Sequence, residues 1–89
     1  MIHYSITVTG KVQGVYFRKY TKEEADRIGI NGFVRNERDG SVYIEAEGDP
    51  LSVESFIKWC WKGSPSSEVE NVSMKKGEVK GYKDFRIER

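Results

Sequence analysis

The sequence contains only one cysteine and two prolines, and none of its apolar runs approaches the length of a membrane-spanning helix. Because the lone cysteine, Cys60, cannot form an internal disulfide, we expect a reducing compartment and interpret Cys60 as a small core residue. A helix that crosses a bilayer needs about 20 apolar residues, and the amino terminus lacks the basic and apolar stretches of a signal peptide. We therefore expect a cytoplasmic protein that does not bind membranes.

The sequence also lacks an excess of charge of either sign and has one histidine. Its 15 basic and 14 acidic residues give a formal net charge of +1. Proteins that bind long nucleic acids usually carry a clearly basic face, so no nucleic-acid partner is expected. One histidine and one cysteine cannot form a usual zinc site, and we expect no metal site and no cofactor. We interpret His3 as a strand residue, and we expect any bound anion to be small.

Length and hydrophobic periodicity predict one α+β domain that spans residues 1–89. The apolar fraction of 37% and the charged fraction of 33% are typical of a globular protein. Asp49 and Pro50 are expected as the N-cap and first residue of the second helix, and Gly29 as the end of the first. Period-two and helical patterns predict strands at 2–9, 31–37, 42–47, 69–74 and around 85–87, and helices at about 18–28 and 50–62.

This order of elements favours a ferredoxin-like split β-α-β sandwich, with an antiparallel sheet, two helices on one face and a short extra C-terminal strand. Asp39-Gly40 is a hairpin signal that joins the second and third strands. The third strand can then lie between the first and second, which makes those two parallel. The segments that follow the first and second strands are therefore expected at the same edge of the sheet.

The segment from Gly10 to Arg18, which joins the first strand to the first helix, has the features of an anion-binding turn. Gly14 can adopt positive φ, and the N–H groups of residues 13–18 can point into one concavity at the start of a helix. The guanidinium of Arg18 can form a bidentate pair with phosphate oxygens. Alternatively, Gly14 only permits a turn and Arg18 is a solvated surface residue. No Walker A sequence is present.

Other polar and aromatic residues have more ordinary interpretations. Asn36 stands before a hairpin turn, where asparagine is most often a turn former. Glu45 and Glu47 are expected to point outward from the third strand as part of a sheet face and not as a catalytic pair. Trp59 is expected to cover a sheet margin or a contact surface, because Trp59 and Trp61 cannot both be buried in a two-layer domain.

Two motifs identify a known family. Gly10-Lys11-Val12-Gln13-Gly14-Val15-Tyr16-Phe17-Arg18 resembles the acylphosphatase signature G-x-V-Q-G-V-x-F-R at every specified position. Gly32-Phe33-Val34-Arg35-Asn36 resembles the family's second motif, G-[FW]-V-x-N. Residues 63–67 and 85–87 are also similar to family members, so the resemblance covers essentially the whole chain. The chain ends in Glu88-Arg89 where several members end in an aromatic residue, which argues against a contact between the terminus and the loop.

The resemblance implies an acylphosphatase (EC 3.6.1.7), a metal-independent hydrolase that converts acyl phosphates to carboxylate and inorganic phosphate. It implies that Asn36 positions the attacking water, and we expect a monomer. The resemblance implies that phosphate is bound by the loop residues Gln13, Gly14, Val15, Tyr16, Phe17 and Arg18.

Two alternatives use the same order of elements. A non-catalytic anion-binding or regulatory domain would need the loop but not Asn36, and fold alone does not separate it from an enzyme. An RNA-recognition domain needs an aromatic-rich strand motif that residues 41–45 do not provide. The sequence leaves the physiological acyl phosphate open.

Overall fold

Five strands form one sheet, and two helices pack against it, in a computed structural model that describes all 89 residues. None of the helices is long and apolar enough to span a membrane. In chain order the elements are β1 (Ile2–Lys11), α1 (Phe17–Ile28), β2 (Asn31–Asn36), β3 (Val42–Gly48), α2 (Pro50–Lys62), β4 (Glu68–Gly77) and β5 (Phe85–Ile87).

The sheet has the strand order β4-β1-β3-β2-β5. β3 lies between β1 and β2 and is antiparallel to both, so β1 and β2 are parallel, as predicted. The four main strands pair antiparallel, as predicted, and the short extra strand β5 pairs with β2 in parallel, with Gly32 opposite Phe85. The connection from β4 to β5 runs from one edge of the sheet to the other, and this path sets the direction of β5. The sheet is therefore mixed.

The helix boundaries follow local sequence signals. α1 ends at Gly29, which adopts a left-handed conformation with φ 83° and donates its N–H to the Ala25 carbonyl at 2.9 Å. α2 begins at Pro50 after Asp49, but the Asp49 side chain makes no capping hydrogen bond. The positions of both helix ends are thus confirmed, and the predicted role of the Asp49 side chain is not.

The core lies between the helices and the sheet and contains 16 buried apolar residues. Cys60 belongs to this core, as predicted, and its burial raises the pKa of the thiol. The ring of Trp59 packs against Phe17 of α1 and Phe56 of α2, with centroid distances of 5.5 and 6.5 Å. Trp59 therefore joins the two helices, whereas Trp61 is half exposed.

The other face of the sheet carries a buried polar cluster formed by His3, Glu45 and Glu47. Glu45 and Glu47 lie on the outer face of β3, as predicted, but they are buried there, at 6% and 0% exposure, and are not open to solvent. His3 is confirmed as a strand residue, and its two ring nitrogens contact the two carboxylates, with Nδ1 2.8 Å from Glu47 Oε2. The backbone amides of Lys80 and Tyr82 also donate to Glu47. Thus the connection between β4 and β5 covers this end of the sheet.

Candidate active site

The loop between β1 and α1 turns through two residues with left-handed backbone conformations. Gly14 has φ 71°, and Tyr16, with φ 58°, is the sole non-glycine residue with positive φ. A Cβ atom added at Gly14 would meet no atom within 4 Å, so its conformation, not crowding, favours glycine there. A left-handed tyrosine costs about 1 kcal/mol or more, and such strain is concentrated at functional sites.

The backbone amides of this loop have no hydrogen-bond partner within the protein. No carbonyl or side chain accepts from the N–H groups of residues 13–16. The next three amides, those of residues 17–19, belong to the first turn of α1, where a helix supplies no acceptor. A run of free amides at a helix start attracts anions, and the helix dipole adds to this preference.

The loop and the start of α1 border a cavity of about 440 Å³ at the edge of the sheet where β1 and β2 end. Four of the six predicted phosphate-binding residues line it, whereas Gln13 and Val15 do not. All charged side chains of the lining are cationic, which favours an anionic ligand. The lining residues are Val12, Gly14, Tyr16, Phe17, Arg18, Lys19, Asn36, Ile87 and Arg89.

Arg18 stands at the start of α1, one wall of the cavity. Its Nη1 donates to the carbonyl oxygen of Glu88 at 3.2 Å. The prediction that the terminus makes no contact with the loop is therefore wrong. Since β5 runs parallel to β2, its carboxyl end reaches the edge where Asn36 lies, and a backbone carbonyl makes the contact without any aromatic side chain.

Asn36 ends β2 and lines the same cavity as Arg18. Its side-chain oxygen, Oδ1, is buried and has no hydrogen-bond partner. The hairpin turn is held instead by Asp39, whose Oδ1 accepts from the N–H and Oγ of Ser41 at 2.9 and 2.6 Å. A buried oxygen without a partner costs about 1–3 kcal/mol, so Asn36 is not explained as a turn former. Asn36 thus lines the cavity and carries an acceptor that no group of the protein satisfies.

Two side chains brace the loop from outside the cavity. The hydroxyl of buried Ser64, in the segment after α2, donates to the Val15 carbonyl at 3.0 Å. The carboxamide of Gln13 donates to two carbonyls of the β2–β3 hairpin, those of Glu37 and Ser41. The sequence suggested Gln13 only through its backbone amide. A long amide side chain in an otherwise apolar loop is the one signal that could have indicated this bond.

Comparison with known proteins decides the family. A family model described as Acylphosphatase matches residues 4–87. The chain belongs to the acylphosphatase family. Relatives named acylphosphatase include one from Nocardioides sp., 48% identical over 92% of this chain and 83% of its own, and one from Pelotomaculum thermopropionicum, 45% identical over 88% and 89%. The crystal structure of acylphosphatase from Bacillus subtilis superposes with a TM-score of 0.97 at 39% identity, with 100% of both chains covered.

Family membership confirms the fold and, at the level of the family, the acylphosphatase function expected from the two motifs. Nothing in the comparisons favours the non-catalytic alternative. The structure brings Arg18 and Asn36 to one cavity. The individual roles of these residues, and of the loop amides, stay predictions. No group of three or more His, Cys, Asp or Glu side chains is arranged to hold a metal ion.

Proposed function

We propose that this protein hydrolyses acyl phosphates, with the phosphoryl group held by the loop of residues 13–18 and the water positioned by Asn36. The observation that carries the proposal is that Asn36, whose buried Oδ1 has no hydrogen-bond partner, lines the same cavity as Arg18. A binding module would need the free amides and Arg18. It would not need an oxygen placed to accept a hydrogen bond from water, which a hydrolase that uses water as the nucleophile does need.

The cationic wall and the loop amides bind the phosphoryl group. The amides of residues 13–19 are free to donate to its oxygens, and the guanidinium of Arg18 can donate to two of them. One of the Arg18 donors is engaged by the Glu88 carbonyl, which holds the guanidinium beside the loop. These donors are arranged before the substrate arrives, so they stabilise charge on the phosphoryl oxygens without reorganisation.

Asn36 orients the nucleophile. Its Oδ1 accepts a hydrogen bond from water and so points a lone pair of the water at phosphorus. The water oxygen bonds to phosphorus as the bond between phosphorus and the acyl oxygen breaks, and the carboxylate leaves with that electron pair. An amide does not take up a proton at neutral pH, so the proton of the water passes to a phosphoryl oxygen.

Hydrolysis of an acyl phosphate requires little from the protein beyond positioning the substrate and the water and stabilising charge. A carboxylate is a good leaving group, and phosphoryl transfer passes through a loose transition state in which positioning and charge stabilisation dominate. The cavity lining contains no Asp, Glu or His side chain, in accord with a mechanism that needs no general base. We further propose that the protein is a cytoplasmic monomer that acts without metal and releases inorganic phosphate.

Hydrolysis of benzoyl phosphate in the presence of EDTA tests the proposal. We expect turnover that the chelator does not change, with release of equal amounts of benzoate and inorganic phosphate. Loss of activity in EDTA would contradict the metal-free mechanism. Inorganic phosphate that binds, measured by calorimetry, while benzoyl phosphate is not turned over would favour the non-catalytic binding domain.

A further inference from the structure

The side chain of Gln13 connects the two halves of the site. Its Nε2 donates to the carbonyl of Glu37 at 2.7 Å and to the carbonyl of Ser41 at 2.9 Å, so both amide hydrogens are used. These carbonyls stand at the two ends of the hairpin turn between β2 and β3, which the Glu37 N–H closes by donating to the Ser41 carbonyl at 2.9 Å. Gln13 therefore docks against the base of the turn.

This docking matters because the loop and Asn36 belong to strands that are not neighbours. β3 separates β1 from β2, so no strand pairing joins the end of β1 to the end of β2. Gln13 opens the loop, and Glu37 directly follows Asn36 in the chain. The bond from Gln13 to the Glu37 carbonyl is thus a short, direct link between the phosphate loop and the residue beside Asn36.

We propose that Gln13 is a positioning residue, which sets the distance between the loop that holds phosphorus and the carboxamide that holds water. This inference rests on the proposed function. The Gln13 side chain does not line the cavity and need not touch the substrate. It acts through Asn36, and a misplacement of about 1 Å between reacting groups costs up to about a hundredfold in rate.

Kinetics of Gln13→Met and Gln13→Asn separate this role from a general effect on folding. The first removes both donors at similar length, and the second keeps the amide but is shorter by one methylene. We expect kcat for benzoyl phosphate to fall about tenfold in Gln13→Met and less in Gln13→Asn, with KM and inhibition by inorganic phosphate within about twofold of wild type. An unchanged kcat in Gln13→Met would overturn the proposal.

Asn31→Leu is the matched control. Asn31 also donates from its carboxamide to a distant carbonyl, that of Tyr82 at 3.0 Å, but at the other end of β2. Asn31→Leu removes one such bond where Gln13→Met removes two. We expect it to lose stability in urea unfolding and to keep kcat within about twofold, because the lost bond is of the same kind but remote from the site. A fall in kcat equal to that of Gln13→Met would mean that lost stability alone explains both.

A double-mutant cycle with Asn36→Ala gives the sharpest readout. If Gln13 acts by placing Asn36, the effect of Gln13→Met on kcat shrinks from about tenfold to less than about twofold when Asn36 is already alanine. Equal effects in both backgrounds would show that the two residues act independently and would overturn the inference. A wild type without turnover would instead remove the proposed function itself.

Discussion

Two polar sites at the sheet, the His3 cluster and the cavity beside Asn36, differ in whether their hydrogen bonds are made within the protein. In the His3 cluster, Glu47 accepts from His3 Nδ1 and from the amides of Lys80 and Tyr82, at 2.7 to 2.9 Å. At the cavity, Asn36 Oδ1 has no partner and the loop amides donate to nothing in the protein. The cluster is complete without a ligand, whereas the cavity is not.

The ionisation of the cluster supports this difference. Burial raises the pKa of Glu47, but hydrogen bonds from the Lys80 amide, His3 and the Tyr82 amide outweigh it, so the pKa is lower than usual. Burial also raises the pKa of Glu45, and hydrogen bonds from Tyr43, Ser5 and His3 again bring it below the usual value. Both carboxylates are thus held as anions by internal donors. In this protein, therefore, a buried polar group indicates a functional site only where it lacks a hydrogen-bond partner within the protein.

The largest effect is expected at Arg18. Arg18→Gln removes the charge that binds the phosphoryl group, and we expect kcat/KM for benzoyl phosphate to fall about 10³-fold, or about 4 kcal/mol. Its side chain makes one exposed hydrogen bond, to Glu88, so the free energy of unfolding should change by less than about 1 kcal/mol. Activity within tenfold of wild type would contradict the assignment. The neighbouring Lys22→Gln, which removes an α1 cation outside the cavity lining, is the control.

In the His3 cluster we expect a large loss of stability with little change in activity. Glu47→Ala leaves His3 and two backbone amides without their acceptor, and we expect the free energy of unfolding in urea to fall by about 3 kcal/mol. At a temperature where the variant is folded, kcat/KM should stay within about twofold of wild type. The control is Glu54→Ala, because Glu54 forms an exposed pair with Lys58 and should contribute less than about 1 kcal/mol. Equal losses in the two variants would show that the cluster is not structural.

A third change separates activity from stability at a single residue. Asn36→Ala should lower kcat about a hundredfold, or about 2.7 kcal/mol, with inhibition by inorganic phosphate within about threefold of wild type. The same change removes a buried oxygen that has no partner, so the protein should unfold at the same or a higher urea concentration. Full turnover with unchanged phosphate affinity would exclude a role for Asn36 in placing water.

The smallest effect concerns acid stability. The folded-state pKa of Glu45 and Glu47 lies below the ordinary value of 4.5 that applies in the unfolded chain, so the unfolded state binds protons first as pH falls. Their contribution is therefore present above that value and is lost as pH falls through the lower folded-state values. In urea unfolding, wild type should lose more stability between neutral and acidic pH than the double variant Glu45→Gln/Glu47→Gln. Parallel pH profiles would contradict this origin of the acid sensitivity.

Much of the fold was predictable because its signals are local. Alternation along β1 and the helical spacing in α2 depend only on which side chains face the core. The antiparallel hairpin between β2 and β3 follows from Asp39-Gly40, and it places β3 in the centre of the sheet. The predicted topology therefore placed the loop and Asn36 at the same edge of the sheet, as the structure does. The direction of β5 was not predictable, because three residues carry no information on whether their pairing is parallel.

The hydrogen-bond partners of the polar residues were also not predictable from the sequence. Period-two alternation separates the two faces of β3, but it does not show that the connection between β4 and β5 covers Glu45 and Glu47. The bond from Gln13 to the hairpin spans 24 residues, and that from Ser64 to the Val15 carbonyl spans 49. Contacts between residues so far apart in the chain depend on the path of every segment between them.

The sequence by itself determined the family, the order of the elements, and the loop and asparagine that form the candidate site. These features are carried by short motifs and by the periodicity of side chains along one element, both of which are local in the chain. Only the tertiary structure decided which polar groups have hydrogen-bond partners, in which direction β5 pairs with β2, and that the carboxyl end contacts Arg18. Such contacts are set by packing in three dimensions, where residues distant in sequence compete for the same hydrogen bonds.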